Sequence, residues 1–155
     1  MTGREYMENI RMLRRDIRLL MEQVARDLVL AQGVTAIRYD VDRVQTSPVS
    51  DRMGDIVARI TETTDTLYDR ITLMQGIEEE ARKLLLNLEV EHERVLVYRY
   101  FDEMSWASVA EQMGYSEKHL FTIQDKAFAE LDSYVSESKY TESPYQILPN
   151  HTKSY

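Results

Sequence analysis

At 155 residues, with 43% hydrophobic and 30% charged side chains, the chain has material for one or two helical domains with a real core. Its formal charge of −8 argues against general attraction to nucleic acid or anionic membranes, and the absence of cysteine excludes a disulfide framework and thiolate chemistry. The start of the chain carries no apolar signal core, and no run approaches the roughly 20 apolar residues of a membrane span, so a cytoplasmic protein without membrane contact is expected.

The first predicted helix opens with a capping box, because Thr2 and Glu5 stand three apart and each side chain reaches the other's backbone N–H. Tyr6, Ile10, Leu13, Ile17, Leu20, Val24 and Leu28 then recur at steps of three and four, a coiled-coil seam on a helix of about 28 residues. Gly33, Pro48 and a cluster of Ser and Thr predict a helix-breaking linker over about 32–49. Ser50 or Asp51 begins a second helix of about 38 residues, with Met53, Ile56, Ile60, Thr63, Leu67, Ile71, Met74, Ile77, Ala81, Leu84 and Leu88 as its seam. Gly76 is expected to soften its middle, and Glu78, Glu79 and Glu80 to form a solvated face. An apolar stripe of this length needs a facing helix, which an antiparallel hairpin over residues 1–88 supplies. The second seam outruns the first by roughly ten residues, and that surplus predicts either a homodimer or a support for residues 89–133.

Residues 89–133 read as a three-helix module. After a helix carrying ERVLVYRYF, Ser105 is a good N-cap, and Trp106, Val109, Ala110 and Met113 come next at helical spacing. Gly114 ends that helix and Ser116 caps the next, so the turn is only about three residues, the length that sets two helices at a steep angle. In the last helix Leu120, Ile123, Ala127, Phe128 and Leu131 make the buried face, and Glu117, Lys118, Phe121, Thr122 and Asp125 look outward. Trp106 is expected to pack on Val95, Tyr98 and Tyr100, and the Tyr98–Phe101 run to be helix core. Ser, Thr, Tyr and Pro dominate residues 134–155, which predicts a flexible tail.

Residues 93–131 resemble region 4, the promoter-reading domain of bacterial sigma factors, in the charged ERVLVYRYF helix, the MSWASVAEQMGYS segment and the Ala127-x-x-x-Leu131 packing pair. The span 44–131, with VQTSP at 44–48 and Trp106, is similar to small phage-encoded regulators related in pattern to the ArpU and RinA late-gene families. The resemblance implies an all-α, sigma-like, DNA-binding regulator of phage or prophage genes; with the surplus seam the expectation is a homodimer on double-stranded DNA, and RNA polymerase is the partner expected in the protein-binding reading below. The positions expected at DNA are Ser116, Glu117, Lys118, His119, Phe121, Thr122 and Lys126.

Charge sets the alternative. Residues 89–133 hold ten acidic residues against four basic ones, a net of −6, although phosphate contacts normally supply most sequence-independent affinity. Where the sigma-like pattern opens its recognition helix with arginines, this chain has Glu117, His119 and Phe121. The arginines Arg4, Arg11, Arg14, Arg15, Arg18 and Arg26 lie in the first helix instead, beside five acids. An acidic protein-binding module that has lost DNA binding is therefore the second reading, and a small-terminase-like packaging subunit the third. No phosphate loop or nucleophile constellation is present, so no enzyme and no cofactor are expected. Glu89-x-x-His92 has one copy of a spacing that di-iron bundles use twice, so no metal is expected either.

Overall fold

The structure is a computed structural model that describes residues 1–40 and 47–140. Among these residues every regular element is helical, in the order α1 (Gly3–Asp40), α2 (Ser47–Leu85), α3 (Val90–Leu96), a π-helical turn (Val97–Phe101), α4 (Trp106–Met113) and α5 (Glu117–Val135). None of the helices is long and apolar enough to cross a membrane.

The capping box forms as the Thr2–Glu5 spacing predicts. Glu5 N donates to Thr2 Oγ1 at 3.1 Å, and Thr2 N donates to the Glu5 carboxylate at 2.7 Å. These bonds favour the ionised acid and hold the Glu5 carboxyl below its ordinary pKa. The break expected over 32–49 is much shorter, because α1 runs through Gly33 to Asp40 and α2 starts at Ser47. A single helical glycine costs only about 1 kcal/mol relative to alanine, and Pro48 falls in the first turn of α2, where its missing N–H is not needed. With 38 and 39 residues the two helices match in length, so the surplus seam that suggested a dimer does not exist.

The chain divides into two compact units, one of Met1–Leu13 with the residues from Leu73 onward, the other of Arg14–Thr72. The boundary expected at residue 88 therefore lies inside the first unit, which the opening turns of α1 help to build.

In the second unit Val34 and Ile56 are buried, and Met53, Ile60, Thr63 and Leu67 are half-buried as their seam positions predict. Leu28 departs from the expected seam and is 49% exposed, while Asp27 beside it is 1% exposed. Alternating steps of four and three from Tyr6 reach Val24 and then Asp27, so the periodicity itself selects the aspartate. Its carboxylate accepts from Gln23 Nε2 at 3.2 Å and from Arg59 Nη2 at 2.9 Å, which meets the requirement that a buried charge be paired.

In the first unit Tyr6, Met7, Ile10 and Leu13 of α1 are buried, as are Met74, Ile77, Ala81 and Leu85 of α2, Val95 and Leu96 of α3, and Leu120, Ile123, Ala127, Phe128, Leu131 and Val135 of α5. Each of the larger aliphatic and Phe side chains contributes about 1.5 to 3 kcal/mol by leaving water, and Ala81 and Ala127 less. Gly3 sits against α5. Its N–H donates to Asp132 Oδ1 at 2.6 Å, and a side chain there would meet Leu131 at 3.0 Å.

The tail expected to be flexible from residue 134 is docked as far as Tyr140; residues 141–155 lie outside the described part. Glu80, expected on a solvated face, is the anchor. It accepts from Tyr6 Oη at 3.0 Å, from Lys139 N at 3.2 Å and from the Ser138 hydroxyl. Burial first, and then the Glu80 charge, push the Tyr6 pKa up. Gly76 does not soften α2 but leaves room for the Tyr140 hydroxyl, which a β-carbon would strike.

Candidate nucleic-acid interface

Three elements position the α4–α5 surface. The α3 helix packs on α5 and its N-terminus is held by Glu130, whose carboxylate accepts from Glu89 N at 3.3 Å and lies 2.5 Å from His92 Nδ1. His92 is thereby committed to a carboxylate–imidazole pair. Among the described residues no group of three or more His, Cys, Asp or Glu side chains is arranged to hold a metal.

The π-helical turn comes directly after α3, with Asp102 N donating to Val97 O at 3.0 Å. One extra residue in a turn rotates the side chains beyond it relative to an α-helix. Tyr100 and Phe101 are buried, and Tyr100 meets Phe128 edge-on with centroids 5.9 Å apart. Burial and a 2.8 Å hydrogen bond to Glu8 push the Tyr100 pKa up to about 12. Arg99 turns back, donating to Met104 O and lying 4.5 Å over the Trp106 ring. Trp106 packs against the cluster of Val95, Val109, Leu120 and Ile123, joined by Tyr98. Tyr100, the third expected neighbour of Trp106, faces Phe128 instead.

Both predicted caps form. Ser105 Oγ accepts from Ser108 N and Ser116 Oγ accepts from His119 N, each at 3.2 Å. Gly114 takes φ 71°, a left-handed conformation that glycine adopts without a Cβ penalty, and Tyr115 N closes the end of α4 by donating to Ala110 O at 3.2 Å. The connection between α4 and α5 is thus residues 114–116.

Of the seven expected contact residues, Ser116 is used as the cap, and Glu117, Lys118, His119, Phe121, Thr122 and Lys126 are all exposed on α5. Several have neighbours that sequence spacing does not announce. The Phe121 ring meets Trp106 edge-on at 4.7 Å, and His119 meets Tyr115 in the same way at 4.7 Å. The Thr122 hydroxyl donates back to Lys118 O at 3.4 Å. Asp125, also on the outward row, pairs with Arg4 at 3.0 Å, and the Arg4 guanidinium lies 4.4 Å over the Phe128 ring. The sequence carries no signal for these last contacts, because residues 4 and 125 are joined only by folding.

Two further basic residues near the module are also occupied. Arg99 is turned inward, and Arg11 lies 4.6 Å over Tyr100 with Glu8 at 3.5 Å. The exposed cations of the module are Arg94, Lys118 and Lys126. Compared with protein-family models, characterised proteins and solved structures, the chain matches none.

Proposed function

We propose that the chain is a phage-type transcriptional regulator, with a helical hairpin followed by a sigma-like helix-turn-helix that reads double-stranded DNA. One observation carries the reading. Two helices with N-caps are joined by a three-residue turn at a left-handed Gly114, and the row Glu117, Lys118, Phe121 and Thr122 is exposed while the opposite side of α5 is buried. That combination presents one rigid helix, N-terminal end outward, as insertion into a major groove requires. The hairpin is supported by Asp27 and Arg59. Helices running the same way with these residues in contact would leave the end of α1 and the start of α2 about 37 Å apart, more than seven extended residues span.

The test is fluorescence anisotropy with DNA flanking the chain's own gene, at low and moderate salt. With so few exposed cations, the log-log salt slope should be shallow, about −3 to −4. Lys118→Ala should cost roughly 1 to 3 kcal/mol if it reaches a base edge. Absence of binding at low salt would overturn the reading. The second reading is an acidic surface for a protein partner such as RNA polymerase. It is favoured by the inward turn of Arg99, which leaves the outer surface of the module still more acidic than its composition.

A further inference from the structure

Asp125 stands on the outward row of α5, one turn beyond Phe121 and Thr122, and its side chain is well exposed. Its partner comes from α1. Arg4 Nη2 donates to Asp125 Oδ1 at 3.0 Å, and the same guanidinium lies 4.4 Å over the ring of Phe128, the next turn of α5. The backbone beneath Arg4 is fixed as well. Gly3 N donates to Asp132 Oδ1 at 2.6 Å, Gly3 packs close on Leu131, and the Thr2–Glu5 capping box closes the first turn of α1. Arg4 is thus held at α5 by its helix, by a ring and by a carboxylate.

Folding gains little from such a pair, because side chains 53% and 71% exposed leave it screened by water. Its effect on the charge of the surface is larger. Among the exposed residues of 117–126, Glu117 and Asp125 stand against Lys118 and Lys126, a balance of zero, and Arg4 tips it to one positive. With the first residues of α5 at base edges, Asp125 lies about 12 Å up the helix from Glu117, beside the phosphates that wall a groove about 8.5 Å deep. A bare carboxylate there repels the backbone. We propose that Arg4 belongs to the DNA-reading surface, where it cancels the charge of Asp125 and so lets α5 approach the phosphates, a role that rests on the DNA reading above. It is a positioning residue, acting through Asp125 and not on a base. The first turn of α1 is thereby part of the recognition module, although the whole of α2 intervenes in sequence.

Fluorescence anisotropy of the full chain on DNA flanking its own gene tests this. Arg4→Gln should bind about eightfold more weakly at ~0.1 M salt, the effect of one charge at a log-log slope of roughly 0.9. Adding Asp125→Asn to it should restore the native affinity and the native salt slope. Lys83→Gln removes an equal charge from an exposed pair with Glu79 on α2, and should change the affinity far less. Should Arg4→Gln melt earlier than the native chain, Arg4→Met takes its place, since it keeps an apolar stem over Phe128, with the same loss and the same rescue expected. Undiminished binding by the Arg4 variant overturns the proposal, as does an equal loss in Lys83→Gln, which would mean that net charge alone counts. A double variant that stays weak, with a slope about 0.9 shallower than native, makes Arg4 a phosphate contact and overturns the cancellation. Failure of the native chain to bind at low salt overturns the DNA reading itself, and this role with it.

Discussion

Arg59 of α2 donates from Nη2 to Asp27 Oδ1 at 2.9 Å and from Nε to Oδ2 at 3.4 Å, so an arginine beside the α2 seam reaches a buried aspartate on the α1 seam. The aspartate is 1% exposed, the arginine side chain 51%. Hydrogen bonding from Gln23 and then from Arg59 holds the Asp27 carboxyl below its ordinary pKa. A group whose pKa is lowered by folding contributes stability above its unfolded value of about 4, and loses it as pH falls through the lower folded value. Arg59→Ala should lower the urea midpoint at pH 7, because it strands a buried carboxylate, and the gap between variant and native should shrink as pH falls through the lowered folded pKa and that carboxylate takes up its proton. A gap that stays equal as pH falls would deny the pair this role.

The same pair shows what a register mark does. An apolar seam with a three- and four-residue repeat tolerates slippage by a heptad, whereas Asp27 finds Arg59 in one alignment only. Asp27→Leu should therefore leave the helices formed but lower the uniqueness of their pairing. Circular dichroism should hold while amide exchange protection in Arg14–Thr72 falls.

Much of the fold is legible in the sequence. The Thr2 and Glu5 capping box, the Ser105 and Ser116 caps, Gly114 and the buried face of α5 obey local rules, and the structure places each where the spacing puts it. The departures share a cause. Gly33 and Pro48 carry local penalties small enough for two long matched helices to absorb. Leu28 outranks Asp27 as a seam residue only when hydrophobicity is weighed above the repeat. The docked tail, Glu80 as its anchor, and the Arg4–Asp125 pair depend on residues far apart in the chain, about which spacing is silent. Of the candidate site, the outward row is legible, but not the Phe121–Trp106 contact beneath it.

Gly76 and Tyr140 make a second, independent test of the docked segment. Alanine in a helix ordinarily gains about 1 kcal/mol over glycine, but here its β-carbon would meet the Tyr140 hydroxyl. Gly76→Ala alone should bring no gain or a loss. In a Tyr140→Phe background, where the hydroxyl is gone, the same change should recover the stabilisation of about 1 kcal/mol. Additive effects in the cycle would show that residue 140 does not rest on α2.

The turn between α4 and α5 should respond to single substitutions in a graded way. Ser116→Ala removes the acceptor of His119 N and should cost about 1 kcal/mol. Gly114→Ala imposes a Cβ on φ 71° and should cost about 1 to 2 kcal/mol, with Gly114→Asn milder. Thermal melts of the three variants give the order, and a Gly114→Ala protein as stable as the native one would mean the turn is not left-handed.

Trp106 is the chain's only tryptophan, and Phe121 lies edge-on to it at 4.7 Å on the surface proposed to face DNA. Ligand arriving at α5 must alter the environment of that ring pair, so tryptophan emission should change on titration with the cognate fragment and stay constant with a fragment that does not bind. Phe121→Ala removes an aromatic contact of about 0.5 to 1.5 kcal/mol and should shift the native emission to the red by opening the indole to water. The two effects separate stability from recognition. Phe121→Ala should weaken DNA binding by more than it lowers the unfolding midpoint if the ring touches a thymine methyl, and by no more than that if the ring only supports Trp106. An emission spectrum blind to DNA that nevertheless binds in anisotropy would move the contact surface away from the N-terminal half of α5.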